Sequence, residues 1–323
     1  MMKSLFYIPA VLVSCFFSVA ILADVVQKQA LSFSAVDALT SDIDDLDKTV
    51  LVIDFQDTLA ALPCDFTSPS QEKCPYLGSA AWFNWQRSLL EKEPDSQYLV
   101  AKDELSLLEI ASIILTSSQL VSPEALIPQV LESLGKQGAR IMFMTKYDRN
   151  QRLTERAALS LVLNEQDKTS LGDLLHRYSP RLEDSHNALA VCNESEASNI
   201  SYQNGVLYTA GQNTSSVSKC FFELYNTQLS KALEDEVKEG AKGDKVKEVA
   251  EIVFIDDSYS NIEELYSTYR SHKELDAFLL HYVALDSDWK NLFSDGHEAV
   301  LQEQAHQKWL TIKDDVMSQI FVK

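Results

Sequence analysis

Three apolar runs of this sequence each end in side chains that can do chemistry. Thr49-Val50-Leu51-Val52-Ile53 ends in Asp54, Arg140-Ile141-Met142-Phe143-Met144 ends in Thr145, and Glu251-Ile252-Val253-Phe254-Ile255 ends in Asp256-Asp257. If the three runs are neighbouring parallel strands, an acid, a hydroxyl and an acid pair meet at one sheet edge. A carboxylate can attack phosphorus when a divalent cation shields the repulsion. Asp54 and Asp257 can supply oxygen ligands to that cation. A hydroxyl and a side-chain cation can then hold the phosphoryl oxygens where charge develops. Taken singly, each residue has a plainer reading: Asp54 as a turn aspartate, Thr145 as an ordinary strand end, Asp256-Asp257 as a helix cap. Capping and metal binding are compatible.

Continuous apolar runs of this kind, the first of them rich in β-branched residues, suit strands buried on both faces, as in a parallel sheet. In open α/β sheets ligands bind at the carboxyl ends of the strands, where these residues fall. Between the runs, Ser106–Leu120, Ser122–Lys136, Asn150–Leu163, Val217–Val237 and Asn261–Ser271 read as helices, and His297–Phe321 as a closing helix. Ser122 reads as an N-cap with Pro123 at the first helical position. Gly205–Tyr208 and Phe278–Val283 read as further strands. Residues 24–48 look like a polar surface wrap, and 165–204 like an irregular insertion. The predicted class is α/β, a Rossmann-like, mostly parallel sheet with an inserted, largely helical cap. The core is placed at 24–61 and 137–323, and the cap at 62–136. Trp82, Phe83 and Trp85 read as cap core rather than substrate contacts.

The chain resembles the haloacid dehalogenase-like (HAD) superfamily. Val52-Ile53-Asp54-Phe55-Gln56-Asp57-Thr58-Leu59 is similar to its first motif, a strand followed by Asp-x-Asp-x-Thr, except at Gln56. Ile141–Thr145 resembles the second motif, and Ile255-Asp256-Asp257-Ser258-Tyr259-Ser260-Asn261 the fourth. Leu77-Gly78-Ser79, Trp82–Gln86, Asn204–Tyr208 and His281-Tyr282 look like segments of a branch of exported bacterial members. The resemblance implies a magnesium-dependent phosphatase acting on a small phosphorylated substrate. Asp54 would be the nucleophile and Thr145 a phosphoryl-binding residue. Magnesium would be held by Asp54, the Gln56 backbone carbonyl and Asp257, supported by Asp256 and Asn261. Lys219 is the first choice for the lone lysine of the third motif, ahead of Lys146 and Lys231.

Gln56 is the departure. Phosphatases of the resembled family carry there an acid that protonates the leaving oxygen and then activates water. An amide cannot exchange a proton near neutral pH. Asp57, one residue on, is expected to point away from the Asp54 side of the turn. The sequence therefore leaves two main readings: a phosphomonoester hydrolase slowed or tuned by Gln56, and a non-catalytic relative that binds a phosphorylated ligand or a protein. A third is another phosphoryl or carbon–phosphorus chemistry.

The 323 residues suffice for a core with a cap. Phosphate backbones repel a net charge of −20, which argues against nucleic acid as a partner. Lys3 followed by the uncharged run Leu5–Leu22 and Ala23 reads as a signal peptide, cleaved after Ala20 or Ala23. Lipidation at Cys15 of Leu12-Val13-Ser14-Cys15 is the rival reading. No later stretch is long and apolar enough to span a membrane. After cleavage, Cys64, Cys74, Cys192 and Cys220 remain. They form either two disulfides, Cys64 with Cys74 and Cys192 with Cys220, or four buried thiols.

Overall fold

The computed structural model describes residues 24–64, 74–147, 159–164, 168–183, 185, 189–193, 199–239, 247–271, 275–285 and 297–321. The proposed signal peptide, residues 1–23, and most of the expected Asn150–Leu163 helix lie outside them.

Alternation of buried side chains builds the centre. In β2 (Thr49–Asp54), Leu51 and Ile53 point to one face of the sheet and Val50 and Val52 to the other, all at most 1% exposed. Such two-faced burial is what a parallel strand between helical layers requires. The same division holds in β3 (Arg140–Thr145) and β8 (Glu251–Asp256). On the first face the core is completed by α1 (Ser34–Thr40), α4 (Ile127–Lys136) and α5 (Leu171–Tyr178). On the second it is completed by α6 (Thr214–Glu239) and α7 (Tyr259–Tyr269).

With β1 (Val25–Ala30), β6 (Ser201–Gln203), β7 (Val206–Tyr208) and β9 (Asp276–Tyr282), the strands form a seven-stranded sheet in the order β1-β9-β8-β2-β3-β7-β6. All pairs are parallel except β6 with β7. A second, two-stranded sheet joins β4 (Val162–Asn164) to β5 (Thr169–Ser170). The expected mostly parallel α/β class is present. From β2 the chain order runs outward through β3 on one side and β8 on the other, so β2 stands at the switch point where such sheets open a crevice.

The chain leaves this core at Ala61 and returns at Val121, where the two residues exchange backbone hydrogen bonds of 2.9 and 3.0 Å. Between them α2 (Ala80–Lys92) and α3 (Glu104–Ser117) enclose Tyr76, Trp82, Leu107 and Leu115. The last helix, α8 (His297–Phe321), adds Leu301 and Ala305 to the same cluster, and the Tyr98 hydroxyl donates to Glu303 at 2.8 Å. The C-terminal helix thus packs with the cap.

Several expectations are revised. The cap segment ends near Val121 rather than Lys136, because α4 buries Ile127, Val130, Leu131 and Leu134 against the sheet. Ser122 does not cap it; the helix starts at Ile127 with Pro128 in its first turn. Residues 24–48 contain the edge strand β1, whose polar Gln27, Lys28 and Gln29 are tolerated because, among the described residues, only β9 pairs with it. The insertion is not wholly irregular: a capping box between Ser170 and Asp173 starts α5, which buries Leu171, Leu174 and Leu175. Val162 and Leu163, assigned to the end of a helix, instead belong to β4.

Both disulfides are formed, Cys64–Cys74 and Cys192–Cys220. They place the folded chain in an oxidising environment. Among the described residues no helix is long and apolar enough to cross a membrane. Cys192–Cys220 ties the insertion to α6 across 28 residues of sequence. Replacing both cysteines with alanine is expected to cost about 2–4 kcal/mol of stability, read as a lower denaturant midpoint against the oxidised parent.

Candidate active site

The in-register parallel pairing of β2 with β3 and β8 sets Asp54, Thr145 and Asp256 at one edge, with Asp257 following directly. Asp54, Asp256 and Asp257 each offer a carboxylate oxygen within 4.8 Å of the others. Asp54, Gln56, Thr145, Asp257 and Asn261 all line one cavity of about 530 Å³ beneath the cap.

The members of the acid cluster have different surroundings. Asp256 is buried and accepts hydrogen bonds from the Ser258 amide at 2.8 Å and from Asn261 Nδ2 at 2.9 and 3.1 Å. It therefore fixes the start of α7 as well as joining the cluster. His281 comes opposite Asp256 through the β8–β9 register, and its Nε2 lies 3.0 Å from the Asp257 carbonyl oxygen. Burial raises the Asp54 carboxyl well above the usual range; the Asp256 charge adds to this and Lys146 opposes it. Burial, then the charges of Asp54 and Asp256, do the same to Asp257. Three carboxylates this close, one buried and two partly buried, form an all-oxygen donor set that fits a hard divalent cation.

The turn after Asp54 separates Gln56 from Asp57. Gln56 Nε2 donates to the Gly78 carbonyl at 3.2 Å, and Tyr147 donates to Gln56 Oε1 at 3.4 Å. The amide thus bridges the base of the cap and the end of β3. Gly78 has φ +90°, and a side chain there would collide with Ile114, so the close approach depends on glycine.

Asp57 does not point away. Its φ of +60° is a left-handed conformation uncommon outside glycine, and it turns the residue into the cavity lining. Its carboxyl is pushed up to about 6 by burial, against the lowering effect of a hydrogen bond from the Ala80 amide at the start of α2.

Lys219 is not brought to the site. The buried face of α6 carries Val217, Phe221 and Tyr225, four residues apart, and position 219 falls on the opposite side. Lys219 is 40% exposed and lies 3.8 Å from Glu223. Lys231, on the same helix, is exposed. Lys146, next to Thr145, lines the cavity, and its charge acts on both Asp54 and Asp256. The aromatic cluster divides: Trp82 is fully buried and Trp85 packs against the cap core, while Phe83 also faces the cavity. Tyr147, Tyr259 and Arg87 were not singled out in advance. Tyr147 and Tyr259 have a signal in their positions two and three residues beyond buried strands; Arg87 has none without the cap.

Residues 33–233 match the family model DUF2608, a protein of unknown function. The match covers more than half of the chain, and the chain belongs to that family. It includes Asp54, Gln56, Asp57, the cap, Thr145 and Lys146, and ends before Asp256. No curated protein and no solved structure matches the chain.

Proposed function

We propose that the protein is a magnesium-dependent phosphomonoester hydrolase of HAD type, with Asp54 as nucleophile and Asp57 carrying the proton that Gln56 cannot. The convergence of Asp54, Asp256 and Asp257 with Thr145 and Lys146 at one strand edge is the observation that carries this reading. Magnesium would be held by Asp54 and Asp257, with Asp256 and Asn261 behind them and the Gln56 carbonyl as a further ligand, and it would neutralise charge between carboxylate and phosphate.

An Asp54 carboxylate oxygen attacks phosphorus, and the bond from phosphorus to the ester oxygen breaks. The Thr145 hydroxyl and Lys146 ammonium hold the phosphoryl oxygens. The departing oxygen takes the proton of the Asp57 carboxyl. Asp57, now ionised, removes a proton from water as that water attacks the phospho-aspartyl phosphorus, which frees phosphate and restores Asp54. The test is hydrolysis of p-nitrophenyl phosphate by the full chain, with magnesium and with chelator. Magnesium-dependent release of nitrophenol is expected; none under either condition counts against the reading.

A second reading, a binding protein without turnover, draws support from Gln56, whose amide is committed to Gly78 and Tyr147. It would bind magnesium and a metallofluoride but turn over no ester.

The acid cluster gives a prediction that needs no substrate. Carboxyls raised above their ordinary values stabilise the fold below the ordinary carboxylate pKa of about 4, and that stability is lost as pH rises through the folded values. Without divalent cation the melting temperature is therefore expected to fall as pH rises from about 4 towards neutrality. Magnesium should oppose the fall, most strongly at the higher pH. Circular dichroism melts with magnesium and with chelator check both points.

Export through cleavage after Ala23 fits this picture. The two disulfides support a periplasmic or secreted location. The Asp24 nitrogen lies 2.7 Å from Asp276 Oδ1, so a new ammonium there would meet a carboxylate. Lipidation at Cys15 remains the alternative, and mass analysis of the N-terminus separates the two.

A further inference from the structure

The cap helix α2 presents two unlike faces. Trp82, Gln86 and Leu89 are buried in the cap, and the Gln86 amide is clamped by the Tyr98 carbonyl at 3.1 Å and the Val100 amide at 3.0 Å. Phe83, Asn84 and Arg87 instead line the cavity that holds Asp54 and Thr145. The start of α2 is pinned to the site by the hydrogen bond from Ala80 to Asp57. Arg87 is seven residues further on, about 10 Å along the helix axis at ~1.5 Å per residue. Helical side chains lean back towards the N-terminus, so the guanidinium reaches part of the way towards the nucleophile.

Arg87 is a cation with spare capacity. Its Nε lies 3.9 Å from Glu91 and 3.6 Å from Glu104, both of which are 62% exposed. Such exposed pairs are weak. Among the described residues its two terminal nitrogens have no hydrogen-bond partner, and they form the fork that matches a carboxylate. Lys146, which lines the same cavity, is already engaged with the acid cluster.

We propose that α2 selects small phosphomonoesters whose alcohol portion carries a carboxylate, bound by the Arg87 fork with the Asn84 amide beside it and the carbon chain against Phe83. One partly offset guanidinium suits the single charge of a carboxylate better than the double charge of a second phosphate. This inference rests on the phosphatase reading above.

The test compares 3-phosphoglycerate with glycerol 3-phosphate, which differ by a carboxylate in place of a hydroxymethyl group, and uses p-nitrophenyl phosphate as a third ester. All are given to the full chain in saturating magnesium. The acid is expected to have a kcat/KM roughly 10- to 100-fold above its neutral counterpart, the worth of a charge-assisted pair. Arg87→Gln should bring that ratio close to one by raising KM for the acid, and Arg87→Lys, a point charge without the fork, should restore part of it. Equal turnover of the matched pair, or a ratio unmoved by Arg87→Gln, overturns the inference while p-nitrophenyl phosphate hydrolysis leaves the phosphatase reading standing. Failure of all three esters overturns both.

Discussion

Asp54→Asn is expected to lower phosphomonoester turnover on the order of 10⁴-fold or more, the scale seen when a covalent nucleophile is removed. The amide is close in size, so the fold should remain. Asp54 stands at the end of the central strand, flanked by β3 and β8, and among the described residues no other cavity-lining carboxylate combines that position with Thr145 and Lys146 beside it. The same change removes one of three crowded carboxylates, so the variant should melt higher than the parent when no divalent cation is present. A rate deficit together with a stability gain separates loss of chemistry from loss of structure. Undiminished turnover by Asp54→Asn would exclude it as the nucleophile.

The second large effect concerns the proton. Asp57→Asn is expected to slow hydrolysis of alkyl phosphates by about 10²–10⁴-fold, the usual worth of a general acid–base. Aryl phosphates with good leaving groups need little protonation and should lose less. The pH profile gives an independent check. The protonated, acid-competent form of Asp57 is present below about 6 and lost above it, so the rate with alkyl phosphates should decline as pH rises through that region. That limb should vanish in Asp57→Asn. Gln56→Asp should bring little gain, because position 56 is tied to Gly78 and Tyr147 and a further carboxylate adds to the crowding. A large gain from Gln56→Asp, with Asp57→Asn harmless, would make Gln56 the lesion that the sequence first suggests.

The legible parts of this molecule are those where burial leaves a mark on residue type. β2, β3 and β8 are covered on both faces, so each is an unbroken apolar run, and the polar residue that ends each run is conspicuous. β1 hides because an edge strand admits Gln27, Lys28 and Gln29. α5 hides because it is short, and only its capping box announces it.

Within the site, Asp54, Thr145 and Asp257 could be named from strand ends, and Asn261 from the resemblance of its motif. Asp57 could not be placed, because a left-handed φ at a non-glycine residue leaves no trace in the sequence. Lys219 is preferred to Lys146 in the sequence because it follows the Ala210–Ser216 loop and opens the helix before the last motif, a reading that takes no account of its helix face. Once Val217, Phe221 and Tyr225 are seen to be buried, position 219 must face outward. Arg87 had no signal, since its place in the same cavity as Asp54 depends on how the cap folds back over the sheet.

The most direct measurement of the central claim is chemical trapping of the intermediate. The purified protein, turning over p-nitrophenyl phosphate in saturating magnesium, is treated with borohydride and digested, and the peptide spanning the end of β2 is sequenced by mass spectrometry. A phospho-aspartyl group is reduced to homoserine, whereas a free carboxylate is not. Homoserine at position 54, dependent on both substrate and magnesium, is the expected result. An unmodified Asp54 in enzyme that is demonstrably turning over, or homoserine at another aspartate, would contradict the account.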